Sequence, residues 1–372
     1  MSDVFAENLT VVTCYSLLKQ RLWASFFFAK LIKCVGYVVI LQSHFLSSSK
    51  AALLGYDEDT ISKLSMKYYF APVQGHTDAA YRYFHARNYG GEAVYTTPFI
   101  RLEKGELRKK DYKDALSVLN GEIDVVPQVI FKNGEELRTL VALLADEGLQ
   151  RVDLNMGCPF PLQTSRGRGA ASIASADCIE SVRDVVVNNP EIGFSVKMRL
   201  GFQEQEWKPL LEVLNELRLD HIAVHPRLAK DQYGGSVDMD AFREIYESSK
   251  NSVVYNGDLL TPEDIARVSE EFPELGGIMV GRGVLGRPSL IAEAISGEAM
   301  PHDERIRRML RFHKELMEHY RETLVGGDHQ VLAKIQPFWE YSESEIGRKA
   351  WKAIRKASSI AKYQTALALI EG

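Results

Sequence analysis

Polar side chains lie within or at the ends of several short apolar runs of this sequence, where they could share one site. Runs three to six contribute, in chain order, Gln128, Asn155, the pair Lys197 and Arg199, and His225. A single amide or histidine at a strand end is more often a structural group with satisfied hydrogen bonds. Because such residues recur on consecutive runs, we interpret them as a ring around one binding site.

The seventh and eighth runs end in glycine-containing turns, Asn256-Gly257-Asp258 and Gly281-Arg282-Gly283. A glycine after a strand is usually only a turn. In barrels, however, the turns after these two strands commonly bind phosphate through backbone N–H groups, and Arg282 could add a charge-assisted contact. A lysine near a flavin ring would stabilise its anionic reduced form. Together these residues indicate a cofactor that carries a phosphate, with FMN as one candidate.

Cys158 lies in the stretch DLNMGCPFPLQTSRGRGA, residues 153–170, between a glycine and a proline. A buried structural cysteine would more naturally occupy the preceding apolar run. This one comes where the chain leaves a predicted strand and enters a loop rich in glycine and arginine. The position is therefore either incidental, as a cysteine in a turn, or functional.

Eight short apolar runs alternate with longer amphipathic stretches from residue 67 onward. They occupy residues 68–72, 93–98, 125–130, 151–155, 194–200, 221–227, 252–258 and 277–283. The stretches between them include GEELRTLVALLADEGL and PEDIARVSEEF, the second with Thr261 as its expected N-cap. Strands separated by helices predict a parallel sheet, and eight such units predict a (β/α)8 TIM barrel, an α/β fold. A doubly wound sheet is disfavoured because the first run lacks a G-x-G-x-x-G turn.

The chain divides into three predicted parts. We expect an FMN-binding barrel over residues 66–300 and a smaller all-helical domain over 301–372, whose residues 302–372 carry 13 Lys and Arg against 10 Asp and Glu. Residues 1–65 are apolar in part, but Lys30 and Lys33 interrupt the run. We interpret them as an N-terminal extension, either non-native or disordered, and not as a membrane anchor.

Composition is that of an ordinary soluble enzyme, with a net charge of −5 that gives no overall attraction to nucleic acid. Local basic patches could still bind phosphates. The four cysteines are far apart and form neither a disulfide framework nor a zinc-type spacing. We therefore expect a reducing, cytoplasmic location, no metal and no stable membrane partner.

The motifs APVQGHTD, DLNMGCP, VKMRLG, HPR, NGD and GRG occur here in the order and spacing of the tRNA-dihydrouridine synthases. The chain resembles that family over residues 68–297 and more weakly around LAKIQPFWEY. The resemblance implies FMN as cofactor, NADPH or NADH as reductant and tRNA as substrate. Flavin N5 would deliver hydride to C6 of a D-loop uridine, and Cys158 would donate a proton to C5 from the opposite face. A thiol, with an ordinary pKa of about 8.5, holds that proton at neutral pH.

The resemblance also implies roles for the remaining candidates. Asn155 and Arg199 would contact the uracil, and Arg166 and Arg168 would lie near the entrance, where they could meet tRNA phosphates. The residues expected to bind the cofactor are Ala71, Pro72, Gln128, Lys197, His225, Asn256, Gly257, Asp258, Gly281 and Arg282. The helical domain would bind the rest of the tRNA.

Two positions depart from the family pattern: Gln74 after the Ala-Pro pair, and the loop PFPLQTSRGRGAASIA after Cys158. They leave the target uridine open. Two other interpretations also stay open. An FMN barrel acting on a small molecule, similar to dihydroorotate dehydrogenase or an ene-reductase, would have no need of a basic helical tail. A non-catalytic RNA-binding barrel would have no need of Asn155, Cys158 and Lys197 together.

Overall fold

A computed structural model describes residues 66–370 of the chain. The predicted N-terminal extension lies outside the described residues. No helix within residues 66–370 is long and apolar enough to cross a membrane.

Within residues 66–370, eleven strands form one large parallel sheet and one small hairpin. In chain order they are β1 (Lys67–Phe70), β2 (Val94–Thr96), β3 (Leu102–Glu103), β4 (Glu106–Leu107), β5 (Val125–Val126), β6 (Gln128–Val129), β7 (Arg151–Met156), β8 (Gly193–Gly201), β9 (His221–Leu228), β10 (Val253–Tyr255) and β11 (Gly277–Val280). The antiparallel pair β3 and β4 is the hairpin. The other nine strands form the sheet, and every predicted apolar run contributes to it.

The large sheet closes into a barrel. Its last strand, β11, pairs with its first, β1, over Lys67–Phe70 and Gly277–Val280. Strands β5 and β6 are two halves of the third predicted run and pair with β2 and β7 respectively. The break between them is Pro127, which has no N–H to donate to a ladder, although its carbonyl still accepts a hydrogen bond from the amide of Asp153 at 2.9 Å. The eight-run barrel prediction is confirmed, and a doubly wound sheet is excluded.

Helices cover the outside of the barrel. They are α1 (Ala79–Tyr89), α2 (Lys109–Ala115), α3 (Gly134–Asp146), α4 (Pro161–Thr164), α5 (Ala176–Asn188), α6 (Trp207–Leu214), α7 (Met239–Ser248), α8 (Pro262–Glu271), α9 (Arg282–Gly286) and α10 (Leu290–Ser296). Thr261 caps α8 as predicted, because its side chain accepts from the amide of Asp264 while that carboxylate accepts in return from the amide of Thr261.

Alternation along each strand separates two packed layers. On β1, Phe70 faces outward and stacks on Tyr95 at a ring distance of 5.3 Å. Tyr69 faces inward, where a small cluster of buried side chains fills the barrel: Tyr69, Ala71, Ala223, Val254 and Met279. The inner cluster supports the site from below.

Five more helices follow the barrel: α11 (His302–Thr323), α12 (Gly327–Ile335), α13 (Glu343–Ile346), α14 (Arg348–Lys356) and α15 (Ile360–Leu367). The first of them, α11, packs on α1 through aromatic rings, with Phe312 4.9 Å from Tyr81. Tyr320 also donates its hydroxyl hydrogen bond to Asp78 at 3.0 Å. The predicted class, a TIM barrel followed by an all-helical segment, is confirmed. The boundary proposed at residue 300 stays a prediction.

Candidate active site

The carboxyl ends of the barrel strands surround a cavity of about 420 Å³, a size within the range of small-molecule sites. All of the predicted cofactor-binding residues line it, together with Cys158, Asn155 and Arg199. The structure thus brings together side chains that lie up to about 210 positions apart in the sequence. Arg166 and Arg168 lie elsewhere.

Cys158 follows β7 directly, and hydrogen bonds to its backbone amide and carbonyl hold it in place. The side-chain oxygen of Asn155 accepts hydrogen bonds from the amides of Gly157 at 3.1 Å and Cys158 at 2.9 Å. From the other side, the amide of Ala170 donates to the carbonyl of Cys158 at 3.1 Å. The residue is only 8% exposed, and this burial raises the pKa of its thiol, an effect that the backbone of Phe160 and then the charges of Arg199 and Lys197 oppose. The thiol therefore keeps its proton at neutral pH.

Two cations on β8 face the same cavity. Burial and then the nearby charge of Arg199 lower the pKa of Lys197 from its ordinary value to about 8. Burial likewise lowers the pKa of Arg199 to about 10. Arg199 donates one hydrogen bond to the carbonyl of Leu228 at 3.0 Å and lies 5.5 Å from the ring centre of Tyr233. Partly desolvated cations of this kind attract electron-rich oxygen atoms of a bound molecule.

His225 is neutral and has a defined tautomer. Burial, followed by the neighbouring positive charges of Arg199 and Lys197, holds its pKa well below the ordinary range. Its Nε2 lies 3.2 Å from Nη1 of Arg227. Because arginine only donates, Nε2 must accept and the ring proton must be on Nδ1. His225 can thus offer one N–H to a ligand.

The turns after β10 and β11 form the other end of the cavity. Asp258 accepts hydrogen bonds from Arg227 at 2.8 Å and from Arg282 at 2.9 Å, and the bond to Arg227 holds the pKa of this carboxyl below its ordinary value. Asn256 donates to the carbonyl of Met279 at 2.7 Å. A Cβ added at Gly281 would meet only Ala71, at 3.5 Å. The glycine therefore leaves open space beside Arg282, where an anionic group of a bound cofactor could lie.

Arg166 and Arg168 lie outside the cavity, on the loop that follows Cys158. Arg168 is 4% exposed and donates to Glu136 on α3 at 2.7 and 3.1 Å and to the carbonyl of Leu102 at 3.2 Å. It ties the loop to the barrel. Arg166 is exposed and lines a neighbouring groove with Lys104 and Lys132.

Several cavity residues were not identified from the sequence. Glu340 and Tyr341 come from the helical segment, and Glu340 lies 3.3 Å from His76 on the barrel side. Tyr233 lies beneath Arg282, with 4.1 Å from the guanidinium carbon to the ring centre. Glu340 and Tyr341 belong to the PFWEY stretch, whose likeness to the family could have marked them. Nothing in the sequence around Tyr233 distinguishes it.

The part of the chain that the structure describes contains no group of three or more His, Cys, Asp or Glu placed to hold a metal ion.

Comparisons with known proteins agree with the motifs. A family model described as dihydrouridine synthase matches residues 69–368. A probable tRNA-dihydrouridine synthase from Treponema pallidum is 26% identical, covering 83% of this chain and 94% of the relative. The tRNA-dihydrouridine synthase B of Yersinia pestis is 24% identical, covering 77% and 91%. Among solved structures, an old yellow enzyme homologue from Zymomonas mobilis gives a TM-score of 0.47 at 10% identity over 63% of this chain and 89% of its own. The family match alone spans most of the chain, and the chain therefore belongs to the dihydrouridine synthase family of flavin-dependent oxidoreductases.

Proposed function

We propose that this protein is a tRNA-dihydrouridine synthase that reduces the C5=C6 bond of a uridine in the tRNA D-loop. The observation that carries the proposal is the position of one protonated cysteine, Cys158, at the same cavity as Lys197, Arg199 and an open glycine turn. Membership in the family and the names of its relatives support tRNA as the substrate.

The cavity residues suit FMN. Lys197 would lie beside the ring system, where its charge stabilises the reduced anion. His225 would donate from Nδ1, and Gln128 from its remaining side-chain N–H. Asn256, Gly257, Gly281 and Arg282 would hold the phosphate, with Asp258 orienting Arg282, and Ala71 and Pro72 would lie under the ring. Bound FMN, once reduced by NADPH, would supply a hydride to C6 of the uracil.

Cys158 would supply the proton that completes the addition, from its Sγ to C5. Its raised thiol pKa keeps it in the acid form at working pH. Asn155 uses its side-chain oxygen on the loop and one of its N–H groups on Gln128 at 2.7 Å. One N–H is left to bind a uracil carbonyl, and Arg199 can bind another.

A uridine must leave its stack to reach this cavity, and contacts far from the reacting base can offset that cost. The helices after residue 300 suit this role, because α14 exposes Arg348, Lys349, Lys352, Arg355 and Lys356 on its surface. Arg166 would add a phosphate contact near the entrance.

An anaerobic half-reaction tests the proposal. The flavin-loaded protein is reduced with NADPH and mixed with tRNA that lacks dihydrouridine, while flavin absorbance and dihydrouridine content are followed. Reoxidation with formation of dihydrouridine is expected. A flavin that stays reduced with tRNA but is reoxidised by orotate or an enone would refute the proposal and favour the small-molecule barrel.

Cys158→Ala should keep the reduction by NADPH and lower dihydrouridine formation by roughly 10²–10⁴-fold, the usual contribution of a general acid. Cys178→Ala is the matched control. Cys178 is buried on α5, where its thiol donates to the carbonyl of Lys132, and its loss should leave both half-reactions unchanged. Equal dihydrouridine formation in Cys158→Ala and wild type would remove Cys158 from the reaction.

A further inference from the structure

A continuous chain of buried hydrogen bonds runs from the barrel interior to Cys158. Ser195 on β8 donates to one oxygen of Asp153 at 2.6 Å, and Gln128 on β6 donates to the other at 2.7 Å. Asn155 then donates to the side-chain oxygen of Gln128 at 2.7 Å. The chain ends where Asn155 accepts from the amides of Gly157 and Cys158. Asp153 is 2% exposed and is not among the residues that line the cavity.

The direction of every link follows from Asp153, because both oxygens of its side chain accept hydrogen bonds. An ionised carboxylate only accepts, so Gln128 must turn its NH₂ toward Asp153 and its oxygen toward Asn155. Asn155 must then turn its NH₂ toward Gln128, which leaves its oxygen for the two backbone amides. If Asn155 were turned the other way, its NH₂ would face N–H groups that need an acceptor, and buried donors without acceptors are costly.

We propose that Asp153 is a positioning residue, whose carboxylate sets the direction of the Gln128 and Asn155 amides and thereby holds the backbone of Cys158 in place. Asp153 touches neither the cavity nor the reacting atoms. From the proposed function the inference takes only the identity of Cys158 as the acid. It is tested below without tRNA and without turnover, so its failure and the failure of the proposed function are separate results.

An exchange of Asp and Asn within the chain tests this directional role. In Asn155→Asp alone, the new carboxylate can still accept from the two amides, but its second oxygen meets the oxygen of Gln128. If Gln128 turns over, its oxygen meets Asp153 instead. Two acceptors face each other in either arrangement.

In the double variant Asn155→Asp/Asp153→Asn, every hydrogen bond of the chain between positions 153 and 155 can reverse its direction. The carboxylate introduced at position 155 then accepts from the NH₂ of Gln128. The oxygen of Gln128 accepts from the amide introduced at position 153, and the oxygen of that amide accepts from Ser195.

The first readout is the thermal midpoint of the flavin-loaded protein. Asn155→Asp should lower it by roughly 3–8 °C at pH 8, the usual cost of one unsatisfied buried group. The loss should shrink at pH 5, because a carboxyl that takes up a proton can donate a hydrogen bond to the oxygen of Gln128 that faces it. Asp153→Asn should cost less than half as much, since Gln128 can still donate to its oxygen. The double variant should recover at least half of the Asn155→Asp loss.

Other titratable groups near Asp153 do not produce the same pattern. Those whose charges interact with it are Tyr69 on β1, Lys197 on β8 and His221 on β9. All three are present in every variant, so their protonation affects all variants alike and does not change the differences between them. Ser195→Ala is a control, because it removes one donor to Asp153 but leaves the orientation of the Gln128 and Asn155 amides unchanged. Adding Ser195→Ala to Asn155→Asp should therefore not restore the thermal midpoint.

The second readout is alkylation of Cys158 by iodoacetamide, followed on its own peptide. It should be several-fold faster in Asn155→Asp and return to the wild-type rate in the double variant. If the effects of Asn155→Asp and Asp153→Asn on the thermal midpoint or on the alkylation rate simply add in the double variant, the proposal is wrong. If Asn155→Asp does not fold, recovery of folding in the double variant supports the proposal. A double variant that fails to fold while Asp153→Asn folds would refute it.

Discussion

Lys197 shows, at the scale of one residue, that the site keeps charge where the fold would be more stable without it. Its ordinary pKa of 10.5 falls to about 8, first because of burial and then because of Arg199. At pH 7 it is protonated in both the folded and the unfolded protein, and the folded state bears the desolvation cost. A bound anion or carbonyl oxygen would offset that cost, and the site thus exchanges stability for affinity.

Lys197→Met should stabilise the flavin-free protein against urea at pH 7 by roughly 1–2 kcal/mol, after allowance for the part of the side chain that stays in water. Between pH 8 and about 10.5 the folded wild type releases the proton before the unfolded chain does, so wild-type stability rises with pH. The advantage of the variant should therefore be smaller at pH 9.5 than at pH 7.

The same variant should retain flavin less well than wild type, which equilibrium dialysis against free FMN would measure. An advantage that is equal at both pH values would mean that the methionine acts through packing and not through charge.

Sequence patterns predicted charged and reactive residues that the structure brings to one cavity, but not the hydrogen bonds between them. Cys158, Lys197 and the glycine turns stand out because their types and places are unusual. Asp153 does not, because an aspartate within an apolar run gives no sign of which amide it faces. The predicted phosphate role of Arg168 came from its place in a basic loop, whereas its ion pair with Glu136 depends on how that loop folds back on α3.

At the scale of elements, the loop after Cys158 is fixed by close packing as well as by hydrogen bonds. Gly169 has φ +63°, and a Cβ there would lie 2.7 Å from the carbonyl oxygen of Cys158 and 2.8 Å from its Cβ. Arg168, the preceding residue, anchors the same segment to Glu136. The returning loop thus presses directly on the cysteine, and only glycine permits that approach.

Gly169→Ala should destabilise the protein and displace Cys158, and dihydrouridine formation should fall at least tenfold while NADPH still reduces the flavin. Gly148→Ala is the matched control, because Gly148 also has positive φ, at +79°, but has no atom within 4 Å of an added Cβ. It should cost about 1 kcal/mol in urea unfolding and leave product formation unchanged. Equal activity losses in the two variants would mean that the contact with Cys158 has no role.

The strands were more predictable than the connections between them. All eight apolar runs became barrel strands, since their length and alternation with helices leave few other arrangements. The hairpin of β3 and β4 was not predicted, because strands of two residues carry no periodic signal. Its turn contains Lys104 at φ +56° followed by Gly105 at φ +84°. This Lys-Gly pair was the one feature of the sequence that could have indicated the hairpin turn.

At the scale of the whole molecule, the helical segment belongs to the barrel's structure and also contributes to the cavity. Phe312 is fully buried and packs on Tyr81 and His85 of α1. Lys334 pairs with Asp78 at 2.7 Å, the same carboxylate that caps α1. Glu340 and Tyr341 reach the cavity from this anchored segment. The division into a barrel and a helical domain stays a prediction, and the sequence does not show these contacts, because residues more than 200 positions apart leave no local pattern.

Because the net charge is −5, the proposed binding of tRNA would depend on local basic surfaces, and α14 exposes five Lys and Arg side chains. Lys349→Glu/Lys352→Glu should weaken tRNA binding and reduce the slope of log K against log salt by about 2, one for each lost phosphate contact. Both side chains are exposed, so the thermal midpoint should not change.

Lys250→Glu is the control for added negative charge. Lys250 is equally exposed, but it precedes β10 and so lies at the end of the barrel opposite the cavity. It should leave the salt slope unchanged, as measured by filter binding at several salt concentrations. If the two sets of variants reduce affinity alike, the negative charge acts over the whole molecule and α14 does not contact the tRNA. A change confined to the α14 variant would place the tRNA on this helix while the target uridine enters the barrel.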